Sequence, residues 1–248
     1  MFSDTVPTPD ALGEHYSQYD RDAAVSDITL GRYRELLVSL EPYQRTGRIL
    51  DFGSGSGAFL EVARDLGWHA HGVEFGEAAA LCAEKGFEVH EGPLGADRFP
   101  AGHFDVVTAF EVVEHLAHPR KELESVARSI RPGGACYLTT PNFDSLSRRL
   151  LRERWRIVSY PEHLNYFTTA TLTRLVETTG FRRVSVTTSG LSVAELRRGS
   201  GAIDRQADEP LRQLTEQRAV ARLGKRVANR VLGAARAGDT LRTVFERV

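Results

Sequence analysis

The sequence predicts an α/β protein: a doubly wound, mostly parallel seven-stranded sheet with its last strand antiparallel and helices on both faces. Three observations predict it. Short apolar runs alternate with helix-periodic segments from Arg48 onward, and a glycine-rich turn follows the first run. A chain of 248 residues is also long enough for one large domain with an appendage.

Residues 1–47 read as an N-terminal helical arm or lid. A polar stretch with Pro7 and Pro9 leads to Tyr16 and Tyr19, and then Ile28, Leu36, Leu37 and Leu40 recur at helical spacing until Pro42 stops the pattern. The main domain is expected over 48–188 and 238–248. It opens with Arg48–Phe52 as a buried strand and Ala58–Leu66 as a helix, followed by His69–Glu74 and Glu77–Lys85 as the next pair. Phe87–His90 reads as a short third strand, and Phe104–Phe110 as a fourth with a helix over Pro119–Ile130 behind it. Arg131-Pro132-Gly133-Gly134 is a turn signal before a fifth strand, Ala135–Thr140. Leu172–Thr179 is a helix closed by Gly180, and Phe181–Thr187 a sixth strand. Thr240–Val248 alternates like an edge strand, so residues 189–237 form an insertion between the last two strands.

Composition narrows the function classes. A formal net charge of −1 gives no global argument for nucleic acid, and no nucleic-acid partner is expected. Two cysteines far apart, Cys82 and Cys136, make neither a disulfide framework nor a zinc pattern and suit a reducing compartment. The first residues lack the basic start and apolar run of a signal peptide, and no stretch approaches the ~18 apolar residues that span a bilayer. A cytoplasmic protein is expected.

The segment Ile49–Ala63 carries most of the functional signal. Gly53, Ser54, Gly55 and Gly57 fall where a strand hands over to a helix, so the backbone turns tightly and a ligand can approach it closely. The helix that follows aims unpaired N–H groups and a partial positive charge at that ligand. Gly53-x-Gly55-x-x-Ala58 also fits a dinucleotide fingerprint, with Glu74, 23 residues beyond Asp51, suited to a ribose. Asp51 favours the other reading. A carboxylate at that strand end would repel a pyrophosphate but can pair with an ammonium group.

With these residues in view, the chain resembles the class I S-adenosylmethionine-dependent methyltransferases. Four further segments carry the resemblance: Glu111–Leu116 after the fourth strand, Arg131–Gly134 before the fifth, Thr140-Pro141-Asn142 closing it, and His163–Thr168 later. Together they look like the small-molecule branch that includes the ubiquinone-biosynthesis O-methyltransferases, over roughly Ile49–Thr187. The resemblance implies S-adenosyl-L-methionine as cofactor. It implies that Gly53, Ser54, Gly55 and Gly57 line its amino-acid head with Asp51 beside them, and that Glu74 takes the ribose hydroxyls. Phe110 would supply strand-end backbone, and Phe75 and Leu94 would flank the adenine. Many relatives place an acid after the third strand; here that stretch is Glu91-Gly92-Pro93-Leu94, with Asp97 as a substitute.

Methyl transfer to a hydroxyl benefits from a base, and histidine has a suitable ordinary pKa. His163, in a loop after the fifth strand, is the base candidate, and His115, just after the fourth, is the second. The bland alternative for each is a residue that fixes its loop. No cluster has metal-ligand spacing, so no metal is expected. Trp155, Tyr160 and Tyr166 read either as an acceptor pocket wall or as core, and Tyr16 and Tyr19 either as a lid on the cofactor or as pins for the arm.

The 189–237 insertion is basic between Arg197 and Arg236. Val220, Leu223, Val227, Val231 and Ala234 fall on one helical face, with Arg218, Arg222, Lys225 and Arg236 opposite. It reads as a helix packed on the domain, or else as an acceptor lid, an oligomer contact, or an attachment to an anionic membrane surface or lipid-linked acceptor through 197–236. The leading functional expectation is methyl transfer to a small molecule, most simply O-methylation of a sugar, lipid-linked or secondary-metabolite hydroxyl. An NAD(P)-dependent oxidoreductase and a catalytically silent binding protein on the same fold are the alternatives.

Overall fold

The structure, a computed structural model, describes residues 25–95, 98–155, 157–159, 162–190, 233 and 235–248. The expectations for Tyr16, Tyr19, Asp97, Tyr160 and the basic helix of the insertion lie outside the described residues.

The description begins with helix α1, Asp27–Leu40, capped by Ser26, whose hydroxyl accepts the Thr29 N–H. A 3₁₀ turn at Glu41–Tyr43, started by Pro42, ends it. Strand β1, Arg48–Phe52, and helix α2, Ala58–Asp65, follow. Next come β2 over His69–Glu74, α3 over Gly76–Glu84 and β3 over Glu88–Glu91. The second half contains β4 over Phe104–Phe110, α4 over Pro119–Ser129 and β5 over Ile130–Pro141. It closes with α5 over Leu146–Leu151, α6 over Thr169–Glu177, β6 over Phe181–Ser189 and β7 over Thr240–Arg247.

The seven strands lie in the order β3-β2-β1-β4-β5-β7-β6. The first five are parallel, and β7 runs antiparallel to both β5 and β6. Both faces are covered. On one, Leu123 and Val126 of α4 and Leu172 and Val176 of α6 pack on Val107, Ala109, Leu138, Leu241 and Phe245. On the other, Leu37 and Leu40 of α1 and Phe59, Val62 and Ala63 of α2 pack on Ile49, Val106 and Ala135. Each fully buried leucine contributes roughly 1.5–3 kcal/mol by leaving water, so these two layers hold the helices to the sheet. Cys82 and Cys136 are buried and unbridged.

The structure departs from the sequence reading in four places. Thr240–Arg247 is not an edge strand: it sits between β5 and β6 and is hydrogen-bonded to both. Its alternation arises because Leu241, Thr243 and Phe245 face the core while the intervening residues face a half-covered surface. The Arg131–Gly134 turn belongs to β5, which pairs through Ile130 with Phe104, slips register, and resumes at Ala135. Helix α6 starts three residues earlier than its apolar spacing suggests, because Thr168 and Thr171 form a reciprocal cap. The six-residue α5, capped by Ser145, has too few residues for a periodic pattern to show.

Strand order reverses between β1 and β4, which opens a crevice at their carboxyl ends. The chain enters β7 beside that rim. There the buried Asn142 donates through Nδ2 to the carbonyls of Arg236 and Gly238 at 3.1 and 2.8 Å, and through its backbone N–H to Asp239 at 2.7 Å.

Candidate active site

The glycine loop leaves β1 at the crevice. A Cβ on Gly53 would lie 2.5 Å from Val112 Cγ2, and φ there is 82°, so only glycine fits. A Cβ on Gly55 would meet nothing within 4 Å, so the loop presents bare backbone to open space. Gly57 precedes α2 without a side-chain cap, which leaves the helix's first N–H groups free for an anionic group. Ser54 is buried behind the loop, 3.7 Å from Cys82 Sγ, which donates to the Gly55 carbonyl at 3.1 Å.

Two acids flank the loop. Asp51, 2% exposed, accepts the Thr108 hydroxyl at 2.7 Å through Oδ1. Burial pushes its carboxyl up to about 8, against the Thr108 hydrogen bond and with help from the charge of Glu74. Glu74 spans the loop, accepting Gly55 N–H at 2.7 Å and Phe75 N–H at 2.8 Å on its two oxygens. Phe75 is 58% exposed at the rim, whereas Leu94 is a core residue at 1%. Phe110 ends β4 in an aromatic group with Phe59 and Tyr33, centroids 5.0 and 5.3 Å away. Tyr33, on α1, escaped the sequence reading. Burial and the nearby Asp51 raise its hydroxyl to about 12.

Beyond β4 lies an acid–histidine cluster. Glu111 has a left-handed φ of 53°, fixed by its N–H donating to the Thr139 carbonyl and hydroxyl, each at 3.1 Å. The residue is exposed, yet the surrounding protein desolvates its carboxyl and raises it, against hydrogen bonds from Thr139 and Glu114 and the charges of His163 and Arg242. Glu114 is buried, and desolvation followed by the Glu111 charge pushes it well above the usual carboxylate range. Its Oε2 accepts the Thr140 hydroxyl at 2.9 Å, while Oε1 has no hydrogen-bond partner among the described residues.

The two histidines meet here from segments nearly fifty residues apart, with ring centroids 4.8 Å from one another. His115 Nδ1 lies 2.7 Å from the Glu162 carbonyl and His163 Nδ1 lies 2.6 Å from the Ile157 carbonyl. A carbonyl can only accept, so these contacts assign the proton to Nδ1 and the lone pair to Nε2 in each neutral ring. The later loop is fastened to the earlier one: the Glu114 carbonyl accepts from Leu164 and Asn165 N–H, both at 2.9 Å, and Asn165 Nδ2 donates to the Leu116 carbonyl at 2.7 Å. Donor atoms of Glu114, His115 and His163 all lie within 4.8 Å of one another, a grouping that could hold a cation and that sequence spacing did not reveal.

The aromatic wall takes a different form. Trp155, 2% exposed, packs on Phe143 as core, and Tyr166, 9% exposed, donates its hydroxyl to the His163 carbonyl at 3.1 Å. Neither ring opens onto the crevice. Both support the loop that carries His163.

A crevice with a glycine loop and strand-end acids on one side, and acid–histidine chemistry on the other, defines a group-transfer domain of the methyltransferase type. The family model described as a methyltransferase domain matches residues 23–186, and the chain belongs to that family. Among curated relatives, a ubiquinone biosynthesis O-methyltransferase of Caulobacter sp. (strain K31) is 38% identical over 103 residues, covering 38% of this chain and 41% of the relative. One from Aeromonas salmonicida (strain A449) is 28% identical over 147 residues, covering 54% and 62%. The chain therefore spans about half the length of the curated relatives it matches. Among solved structures, a SAM-dependent methyltransferase from Archaeoglobus fulgidus aligns with TM-score 0.61 and 19% identity over 97% of this chain and 100% of that one. The [4+2]-cyclase SpnF aligns with TM-score 0.63 and 16% identity over 98% and 97%. Both show the fold. Among the described residues, no helix is long and apolar enough to cross a membrane.

Proposed function

We propose that the chain transfers a methyl group from S-adenosyl-L-methionine to a hydroxyl of a small-molecule acceptor. One observation carries this reading: the crevice places the Gly55 backbone and Glu74 on one side of β4's end and the His163–Glu114 cluster on the other. The residues fit the cofactor. Bare backbone at Gly55, free N–H groups at α2 and the Glu74 carboxylate suit its amino-acid head and ribose, with Asp51 beside the ammonium. Phe75, exposed at the rim, suits the adenine.

Bound S-adenosylmethionine supplies an electrophilic methyl on a sulfonium. The chain's part is to orient the acceptor hydroxyl in line with it, exclude water and remove the proton. His163 Nε2 takes that proton, since its Nδ1–H is held by the Ile157 carbonyl. Burial and the Glu111 charge raise the Glu114 carboxyl, which disfavours a second negative charge beside the base. His115 orients the loop through Glu162. The acceptor class extends to sugar, lipid-linked or secondary-metabolite hydroxyls.

A second reading for the same atoms is a divalent cation held by Glu114, His115 and His163, favoured by ligand atoms of all three lying within 4.8 Å of one another. The two readings separate in one experiment. With a methylatable hydroxyl acceptor, His163→Gln lowers kcat by about 10²–10⁴-fold at unchanged cofactor affinity if His163 is the base, and EDTA leaves wild type active. Loss of activity in EDTA, restored by Mg²⁺ or Zn²⁺, selects the cation. Full activity of His163→Gln refutes both.

A further inference from the structure

Arg242, on β7, is a charged side chain at this rim that the mechanism leaves unused. It sits on β7 opposite Thr139 of β5 and Thr187 of β6, so its side chain shares a sheet face with Thr139. Thr139 in turn accepts the Glu111 N–H through its hydroxyl at 3.1 Å, which brings Arg242 beside Glu111 at the carboxyl rim. Burial raises both the Glu111 carboxyl and the Tyr137 hydroxyl, and the guanidinium's charge acts on each in the opposite direction. Yet it lies within hydrogen-bond or ion-pair reach of no described residue, although it is half-buried.

An arginine carries five N–H donors in a rigid planar fork, and half-burial without an acceptor is costly. Pairing with Glu111 would require approach within 4 Å, as Arg182 on the neighbouring strand achieves with Glu246 at 3.2 Å. The groups that fit an open fork are carboxylate and phosphate, which it binds through two parallel hydrogen bonds.

We propose that Arg242 recognises a carboxylate or phosphate on the methyl acceptor, so that the acceptor is an anionic hydroxyl compound. The inference rests on the methyltransferase reading of the crevice. The anion would be seated on the β5–β7 face, and the hydroxyl would be directed toward His163. That arrangement makes Arg242 a determinant of acceptor choice and leaves the cofactor's own contacts on the far side of β4.

The test loads the full chain with S-adenosylhomocysteine and titrates it calorimetrically with 3,4-dihydroxybenzoate, 3-hydroxyphenyl phosphate and the neutral 3,4-dihydroxybenzyl alcohol. One of the anions should bind about tenfold or more tighter than the alcohol. Arg242→Gln should abolish that preference and Arg242→Lys should restore part of it, with thermal midpoint and S-adenosylhomocysteine affinity unchanged. The carboxylate and phosphate arms tell the two anion sources apart. Equal binding of the alcohol, an anion preference that survives in Arg242→Gln, or no anion binding to wild type overturns the proposal while leaving the methyltransferase reading intact. A loss confined to S-adenosylhomocysteine in Arg242→Gln assigns the residue to the cofactor and overturns it too. Failure of wild type to take up S-adenosylhomocysteine removes the reading beneath it.

Discussion

Asp105 and Asp51 stand on neighbouring strands, both almost fully buried at 0% and 2% exposure, and the fold treats them in opposite ways. Asp105 lies at the amino end of β4. Its Oδ2 accepts the backbone N–H groups of Arg45, Thr46 and Gly47 at 2.8, 2.6 and 2.7 Å, and its Oδ1 accepts Arg131 Nε at 2.6 Å. Burial alone would raise this carboxyl, but Arg131 and the three backbone donors hold it below the usual range. Asp51 lies at the carboxyl end of β1 with a single hydroxyl donor, and burial takes it up to about 8. Glu111 and Glu114, also at the carboxyl rim, are raised as well. One rim of the sheet saturates its acid with donors and so fastens the entry to β1 to the start of β5. The opposite rim leaves its acids short of donors, where a ligand can supply them.

The largest expected effect falls on the saturated rim. Arg131→Ala leaves Asp105 a buried charge without its cation and should cost about 3–5 kcal/mol of stability, measured by chemical denaturation, with cofactor affinity per folded molecule unchanged. The pH dependence has a definite sign. A depressed carboxyl stabilises the fold above its unfolded value near 3.9, and that contribution is lost as pH falls through the folded value, so wild type should lose stability in acid more steeply than Arg131→Ala. A smaller and opposite pattern belongs to the ligand rim. Glu74→Gln should weaken S-adenosylmethionine binding by about 10–100-fold, the value of charge-assisted hydrogen bonds to two hydroxyls, and shift the unfolding midpoint little. Both variants losing stability to the same extent would erase the contrast.

The division between what the sequence disclosed and what it hid follows the range of the interactions. Strands β1, β4 and β5 are legible because parallel strands buried on both faces are continuous apolar runs, and the glycine loop because its constraint is local. The place of β7 between β5 and β6 is not legible, since one covered face gives the same alternation at an edge or inside. His163 and His115 could be named separately, but their contact with Glu114 joins residues nearly fifty apart, and no periodicity encodes it. Tyr33 hid within an ordinary amphipathic helix, and Arg242 within a strand taken for an edge. Trp155 and Tyr166 show the converse: sequence left each open between pocket wall and core, and only their burial in the fold places them in the packing beneath the loop.

Asp51 offers the most direct test of the account, that the carboxyl rim is an S-adenosylmethionine site built around under-satisfied acids. With a folded value of about 8, far above its unfolded value near 3.9, Asp51 holds its proton at pH 7, and apo stability should decline as pH rises between those values. An ammonium placed beside it favours the ionised form, so binding should expel that proton. Calorimetric titration with S-adenosylmethionine at pH 7, in two buffers of different ionisation enthalpy, measures it. The account predicts binding in which wild type releases more protons than Asp51→Asn, with an affinity that climbs to about pH 8 and then levels. Proton exchange identical in wild type and Asp51→Asn, or no binding of S-adenosylmethionine by wild type, would contradict it.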